Sequence, residues 1–167
     1  EINAFPAHYQ AEWLRGMRAK LGLFKELPGD LDLINDLMAT AEGQQVDYTG
    51  LFRSLSVFVR GNVASARALF ADPTKFDAWV DRYVRRMAAE DIPDLRRAKA
   101  MDLVNPIYIP RNHLVDAALK AAAAGDMGPF DRLSDVLSRP FTQQKGAEAF
   151  AAPAPAEFGK FVTFCGT

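Results

Sequence analysis

The sequence predicts an all-α protein, with seven or eight packed amphipathic helices followed by an irregular C-terminal tail. Apolar residues recur at helical spacing through residues 1–141, and glycines and prolines divide this pattern into separate helices. With 167 residues, of which 49% are hydrophobic and 25% are charged, the chain is long and apolar enough to bury a core. We therefore predict a helical domain over residues 1–141 and an extended, partly docked tail over residues 142–167.

The first part of the chain predicts three helices. Pro6 suits the first turn of helix one, and Gly22 is placed to end that helix. Helix two is predicted to start at Asp30, a good N-cap because a short carboxylate can accept hydrogen bonds from the free N–H groups of a first turn. Helix three is predicted to start near Asp47. Residues 57–64 are predicted to form the end of the third helix and a loop.

The most strongly patterned helix follows Asp72-Pro73, a capping residue and a first-turn proline. Its predicted inner face is an aromatic and aliphatic stripe formed by Phe76, Trp79, Val80, Tyr83, Val84 and Met87. The adjacent Arg85 and Arg86 are predicted to lie on the solvated face. The next helix, which ends near Val104, is predicted to turn Leu95 and other apolar residues inward.

A stretch bracketed by two prolines leads into the following helix. Pro106 and Pro110 disfavour helical backbone in the residues before them, so Asn105 to Pro110 is predicted to be extended. Arg111 and Asn112 stand at the joint with the helix, where their side-chain N–H groups can bind carbonyl or carboxylate oxygens. Two interpretations are open: the pair ties a buried crossover to neighbouring helices, or it contacts a ligand.

The last predicted helix begins at Asp126 and ends before Pro140. Residues 142–157 are polar, rich in alanine and proline and without period, so they are predicted to run over the surface. An apolar segment near the end is predicted to dock on another surface, since it would otherwise be exposed: Phe158, Phe161, Val162 and Phe164. The predicted aromatic anchors of the core are Trp13, Phe52, Phe76, Trp79, Tyr83 and Phe130.

Composition argues against several classes of function. The net charge is −1 with acidic and basic residues interspersed, so no nucleic-acid partner is expected. No apolar run approaches the roughly 20 residues of a membrane helix, so no membrane partner is expected. The single cysteine cannot form an internal disulfide and fits the reducing cytoplasm. The sequence lacks a glycine-rich phosphate loop and metal-ligand spacing, so we expect neither nucleotide nor metal in this chain alone.

Several motifs together carry a resemblance to a known family. They are Asp47-Tyr48-Thr49-x-x-Phe52-Arg53-x-Leu55, Phe76-Asp77-x-Trp79-x-x-Arg82-Tyr83, Asn105-Pro106-x-x-x-x-Arg111-Asn112 and Arg139-Pro140-Phe141. In this order, and over nearly the whole chain, they resemble the C-terminal third of the selenoprotein O family. Cys165 matches the position near the end where members of that family carry selenocysteine or cysteine.

The resemblance implies the helical C-terminal part of a kinase-like protein. The parent enzyme is then expected to transfer AMP from ATP to Ser, Thr or Tyr of other proteins, with Mg²⁺ or Mn²⁺. The catalytic lobe is expected to precede this chain, which makes the chain a structural or regulatory portion, inactive by itself, with that lobe as its partner.

The resemblance also makes Cys165 a candidate redox residue, although Gly166-Thr167 follow it where the family has serines. It leaves the roles of Asn105, Arg111 and Asn112 unassigned. An alternative from a different class is a self-contained helical module that binds another protein through an apolar groove.

Overall fold

The computed structural model describes residues 5–159, and every regular element in that range is helical. The helices are α1 (Phe5–Lys20), α2 (Asp30–Glu42), α3 (Tyr48–Val59), α4 (Ala64–Arg67), α5 (Thr74–Ala88), α6 (Asp94–Val104), α7 (Asn112–Ala123), α8 (Gly128–Leu137) and α9 (Glu148–Ala151), followed by a 3-10 turn at Ala156–Phe158. The predicted all-α class is confirmed. None of the helices within this range is long and apolar enough to cross a membrane.

The chain forms two compact units, Glu1–Asn105 and Pro106–Thr167. The first unit contains α1 to α6, and the second contains α7 to α9. The helical domain over residues 1–141 and the tail over residues 142–167 stay a prediction.

The core of the first unit is organised by a row of aromatic rings along α5. Ring centroids are 5.7 Å apart for Phe76 and Trp79 and 4.8 Å apart for Trp79 and Tyr83. Both polar atoms of this buried row have partners: Trp79 Nε1 donates to the carbonyl of Leu33 at 2.7 Å, and the Tyr83 hydroxyl donates to that of Leu21 at 2.7 Å. Burial raises the pKa of Tyr83, so its hydroxyl remains a neutral donor.

Three residues predicted to face inward lie at the surface instead. Val84, Leu95 and Phe130 are all exposed, whereas Arg86 and Arg97 are turned into the first unit. The two arginines lie inside because their guanidinium groups donate charge-assisted hydrogen bonds to the buried carboxylates of Asp30 and Glu90. The predictions of a solvated Arg86 and an inward Leu95 were therefore wrong.

Two aspartates stand at the starts of α2 and α3. Helix α3 begins beside Asp47 as predicted, and the carboxylate of Asp47 caps it by accepting a hydrogen bond from the N–H of Gly50 at 2.7 Å. Asp30 is instead the first residue of α2, and the cap position is held by Gly29 with a φ of 88°. The carboxylate of Asp30 turns back to accept from the N–H of Leu27 at 3.1 Å.

In the second unit, the predicted break between α6 and α7 is confirmed. The N–H groups of Ile107 and Tyr108 both donate to the carbonyl of Pro140, at 2.8 and 3.2 Å. The Tyr108 hydroxyl accepts from the N–H of Gln144 at 3.0 Å, and Ala147 is buried beside it. Residues 142–157 were predicted to run over the surface, but the part around Gln144 and Ala147 is packed into this unit because its backbone and side chain satisfy buried polar groups.

We predict that Trp79→Ala lowers the free energy of unfolding by roughly 3–5 kcal/mol, because it removes a buried indole and leaves a cavity. Val84→Ala on the same helix is the matched control and should cost under about 1 kcal/mol, since Val84 is exposed. Urea unfolding followed by circular dichroism measures both changes, and equal losses would contradict the assignment of the two faces of α5.

Candidate functional site

The motif residue Asn105 belongs to a polar cluster in the first unit, the Asn105 cluster (Lys20, Arg53, Ser56, Asp102 and Asn105). Asn105 is fully buried at the end of α6. Its side-chain amide donates to the carbonyl of Lys20 at 2.8 Å, and Lys20 Nζ donates back to its Oδ1 at 3.3 Å. Arg53 donates to the carbonyl of Asn105 at 3.2 Å. The cluster therefore fixes the end of α6 to α1 and α3.

The carboxylate of Asp102 is the anion of this cluster. It pairs with Arg53 at 3.0 Å, accepts from the hydroxyl of Ser56 at 2.6 Å and forms a further ion pair with Arg60. Burial alone would raise the pKa of Asp102, but the hydrogen bonds from Arg60 and Ser56 and the charge of Arg53 outweigh it and lower the pKa. All three donors lie on α3 or its C-cap, so Asp102 ties α6 to that helix.

Two aromatic rings complete the surroundings of Lys20. Its Nζ lies 5.6 Å from the ring centroid of Tyr48 and 5.2 Å from that of Phe52, distances at which a ring face attracts a cation. Burial lowers the pKa of Lys20. Two of the four family motifs thus meet in this cluster. Tyr48, Phe52 and Arg53 belong to the motif that begins at Asp47, and Asn105 begins another.

A second polar cluster, the Glu90 network, consists of Asp30, Arg86, Glu90 and Arg97. The carboxylate of Glu90 is buried just beyond the end of α5. It pairs with Arg86 at 3.0 Å and with Arg97 at 2.9 Å. It also accepts hydrogen bonds from two backbone N–H groups of the loop between α1 and α2, those of Phe24 at 3.0 Å and of Lys25 at 2.8 Å.

The two arginines extend this network to other elements. Arg86 Nε donates to Asp30 at 2.6 Å, and Arg97 donates to the carbonyls of Gly22 and, at 3.1 Å, of Met87. Gly22 has a φ of +67°, and a Cβ there would lie 2.7 Å from Cγ of Arg97. The glycine is required both for its backbone conformation and for the close approach of Arg97.

Glu90 remains ionised well into acid. Burial by itself would raise its pKa, but the backbone hydrogen bonds from Lys25 and Phe24, together with those from Arg97 and Arg86, lower the pKa to about 2. The network is therefore a set of mutually neutralised charges, and it holds the α1–α2 loop against α5 and α6.

The other two motif residues lie in the second unit, at the start of α7. Arg111 is the residue before the helix, is almost fully buried, and donates to the carbonyl of Ala151 at 2.8 Å. Asn112 is exposed, and with Arg111 and His113 it lines an open cleft. The ring of His113 meets that of Phe158 edge-on at 5.7 Å between centroids. Arg111 thus joins the start of α7 to α9, which agrees with the interpretation of a structural tie.

The described carboxylates do not form a cluster of metal ligands. Between residues 5 and 159 no group of three or more His, Cys, Asp or Glu side chains is arranged to hold a metal ion. The buried Asp30 and Glu90 and the half-buried Asp102 all pair with arginine, so their charges are already neutralised. Cys165, the predicted redox residue, lies outside the described residues.

Sequence reasoning missed most of these polar residues, although two signals were present. Arg86 and Glu90 are four residues apart, the spacing of an ion pair on one helix face. Arg97 lies beside Ala98 and one turn before Met101, which places it on the buried side of α6. Asp30 gave no such signal, since its partner Arg86 is 56 residues away.

Comparison with known proteins identifies the family. The family model described as "Protein adenylyltransferase SelO" matches residues 1–138. The chain belongs to the SelO family.

Individual relatives of the SelO family agree with this assignment. A protein named "Protein nucleotidyltransferase YdiU" from Cereibacter sphaeroides (strain ATCC 17025 / ATH 2.4.3) is 48% identical over 167 residues. Proteins of the same name from Mycolicibacterium paratuberculosis and from Mycobacterium sp. (strain KMS) are 47% and 44% identical. Each match covers 99% of this chain but only 33% of the relative, so the chain spans about a third of the length of these curated proteins.

We predict that Arg86→Ala lowers the free energy of unfolding by roughly 3–5 kcal/mol, because it leaves the buried carboxylate of Asp30 without a counter-charge and leaves Glu90 with Arg97 alone. Arg85→Ala, one position away on the exposed face, is the matched control and should cost under about 0.5 kcal/mol. Urea unfolding of both variants measures the difference, and a small loss for Arg86→Ala would contradict the Glu90 network.

A further prediction concerns acid. The folded pKa of Glu90 is about 2, below its ordinary value of 4.5, so its stabilising contribution is complete above pH 4.5 and is lost as the pH falls towards 2. Urea unfolding between pH 5 and pH 2.5 should show stability falling with pH. In Glu90→Gln the curve should start lower and be flatter in this window, because the titrating group is gone; an unchanged slope would argue against the lowered pKa.

Proposed function

We propose that this chain is the helical C-terminal portion of a SelO-family protein adenylyltransferase and that it supports the catalytic lobe without binding the nucleotide itself. The parent enzyme transfers AMP from ATP to Ser, Thr or Tyr of other proteins and uses Mg²⁺ or Mn²⁺. Membership of the SelO family supports the activity, and a chain about a third as long as its relatives fits a portion of such an enzyme.

The pairing of three carboxylates with arginine is the observation that supports a chain without nucleotide binding of its own. Transfer of a nucleotide needs cations around the phosphates, and carboxylates that hold the metal must be free to bind it. Asp30, Glu90 and Asp102 are instead held by arginines of their own unit. We therefore assign no step of AMP transfer to these residues.

Support of the catalytic lobe is the role that the same contacts favour. The Glu90 network and the Asn105 cluster both fix helix ends and loops with charged hydrogen bonds, which limits local movement. Reacting groups must be held to within a fraction of an ångström, and rigid neighbouring elements provide such positioning. The first unit of this chain offers rigid helices of that kind.

Regulation and subcellular location are also open to proposal from the single cysteine. We propose Cys165 as a redox contact with the catalytic lobe and the cytoplasm as the location, in keeping with a single cysteine. Both stay predictions.

An adenylylation assay tests the proposed function. The 167-residue chain and the full-length relative from Cereibacter sphaeroides (strain ATCC 17025 / ATH 2.4.3) are each incubated with ATP labelled at the α-phosphate, Mg²⁺ or Mn²⁺, and an acceptor protein. We expect label on the acceptor only with the full-length protein. Labelling by the chain alone would contradict the division of labour, and no labelling by either would contradict the activity.

A further inference from the structure

We propose that the outward face of α6 and the ring of Phe24 form a docking surface for a segment of the SelO-family protein that lies outside this chain. The surface, called here the α6 surface, consists of Phe24, Leu95, Arg96, Lys99 and Leu103. Its occupant carries apolar side chains flanked by carboxylates. The inference rests on the proposed function, because it assumes that this chain is one part of a longer protein.

The leucines of the α6 surface lie on the side of α6 that faces away from the core. Leu95, Lys99 and Leu103 follow one another at intervals of four residues, which spreads them over about 80° of the helix circumference. The buried side of the helix carries Arg97 and Met101. Leu95 is 65% exposed and Leu103 is 75% exposed, so both present most of their apolar area to solvent.

Phe24 adjoins this face and is held in place without being covered. The ring centroid lies 5.9 Å from Cζ of Arg96 and 5.8 Å from Cζ of Arg97. Its backbone N–H is fixed by the carboxylate of Glu90 at 3.0 Å, yet the residue is 45% exposed. The Glu90 network therefore fixes the backbone of Phe24 and leaves its ring at the surface. Because this backbone is already ordered, a partner that binds the ring costs little conformational entropy.

The charges of the α6 surface indicate the chemistry of its occupant. In the part of the chain that the structure describes, neither Arg96 nor Lys99 forms an ion pair. Arg67, which is also exposed in this unit, pairs with Asp77 at 2.9 Å. Two cations beside exposed leucines are complementary to a segment that combines apolar and acidic side chains.

The extent of the relatives indicates where the occupant comes from. Single exposed leucines are common on protein surfaces, but this helix face presents two, and an exposed phenylalanine ring lies against Arg96 of the same face. Exposed apolar side chains gathered in one region are typical of interfaces. The chain spans about a third of the curated relatives, so roughly two thirds of such a protein is available to cover this face. A second copy of the chain or an anionic lipid surface would be a different occupant, and the experiment below separates them.

Hydroxyl-radical footprinting tests the α6 surface. The rate of side-chain labelling is measured in the 167-residue chain and in the full-length protein that contains it. We expect Phe24, Leu95 and Leu103 to be labelled several-fold more slowly in the full-length protein. Val63, which is 57% exposed in the same unit, is the control. Equal labelling of the three residues in both proteins would overturn the proposal.

Variants of the full-length protein test the two components of the surface. Leu103→Asp should raise the labelling of Phe24 and Leu95 several-fold, whereas Val63→Asp should leave it unchanged. Lys99→Glu should also raise it, and Lys99→Arg should not, because the proposed contact needs a positive charge. No change in either Leu103→Asp or Lys99→Glu would overturn the proposal.

Two further measurements show whether the α6 surface is covered by a second copy of the chain or by a membrane instead. Protection of the isolated chain that grows with its own concentration would assign the surface to a second copy. Protection by vesicles of phosphatidylserine and phosphatidylcholine, without protection in the full-length protein, would assign it to a membrane. Either result overturns this inference and leaves the AMP-transfer assay, and with it the proposed function, unaffected.

Discussion

The first unit depends on the burial of one carboxylate, that of Glu90. Removing a carboxylate from water costs several kcal/mol, and only complete pairing and hydrogen bonding can offset that cost. Glu90 has such surroundings, with two guanidinium groups and two backbone N–H groups around its oxygens. The consequence is structural, since these four donors come from three places: α5, α6 and the loop that follows α1. The close approach of Arg97 in turn requires the glycine at position 22.

The Asn105 cluster also pairs buried polar groups, and it does so at the last residues of the first unit. Asn105 is neutral, so its burial is less costly than that of a carboxylate, and both its amide nitrogen and its amide oxygen have partners. Asp102, one turn earlier in α6, carries the negative charge of the cluster, and Arg53 and Arg60 neutralise it. Together the two residues hold the C-terminal end of α6 against α1 and α3. The chain thus leaves the first unit from a fixed backbone position.

The fold class and the candidate site differ in how far the sequence predicts them. Periodicity predicted the helices because burial of an apolar stripe is a local property, and Trp79 follows that rule. It failed at Arg86, whose environment is decided by Asp30, 56 residues away. Helix α3 begins beside Asp47 as predicted, since the start of a helix depends on the next turn alone, whereas Asp30, the predicted cap of α2, pairs with a distant arginine. Interactions between distant residues therefore set the limit of prediction here.

Helix α6 buries an arginine and exposes two leucines. Burying a leucine side chain contributes about 1.5–3 kcal/mol, whereas burying an arginine is at best neutral once its partners are provided. A helix selected only for the stability of this unit would turn Leu95 or Leu103 inward and Arg97 outward. The structure has the reverse. Arg97 is inside because Glu90 must be neutralised, but that requirement does not explain two exposed leucines beside Arg96 and Lys99, for which no ion pair is found among residues 5–159. A contact on the outer face explains them, since it would bury the leucines and match the charges.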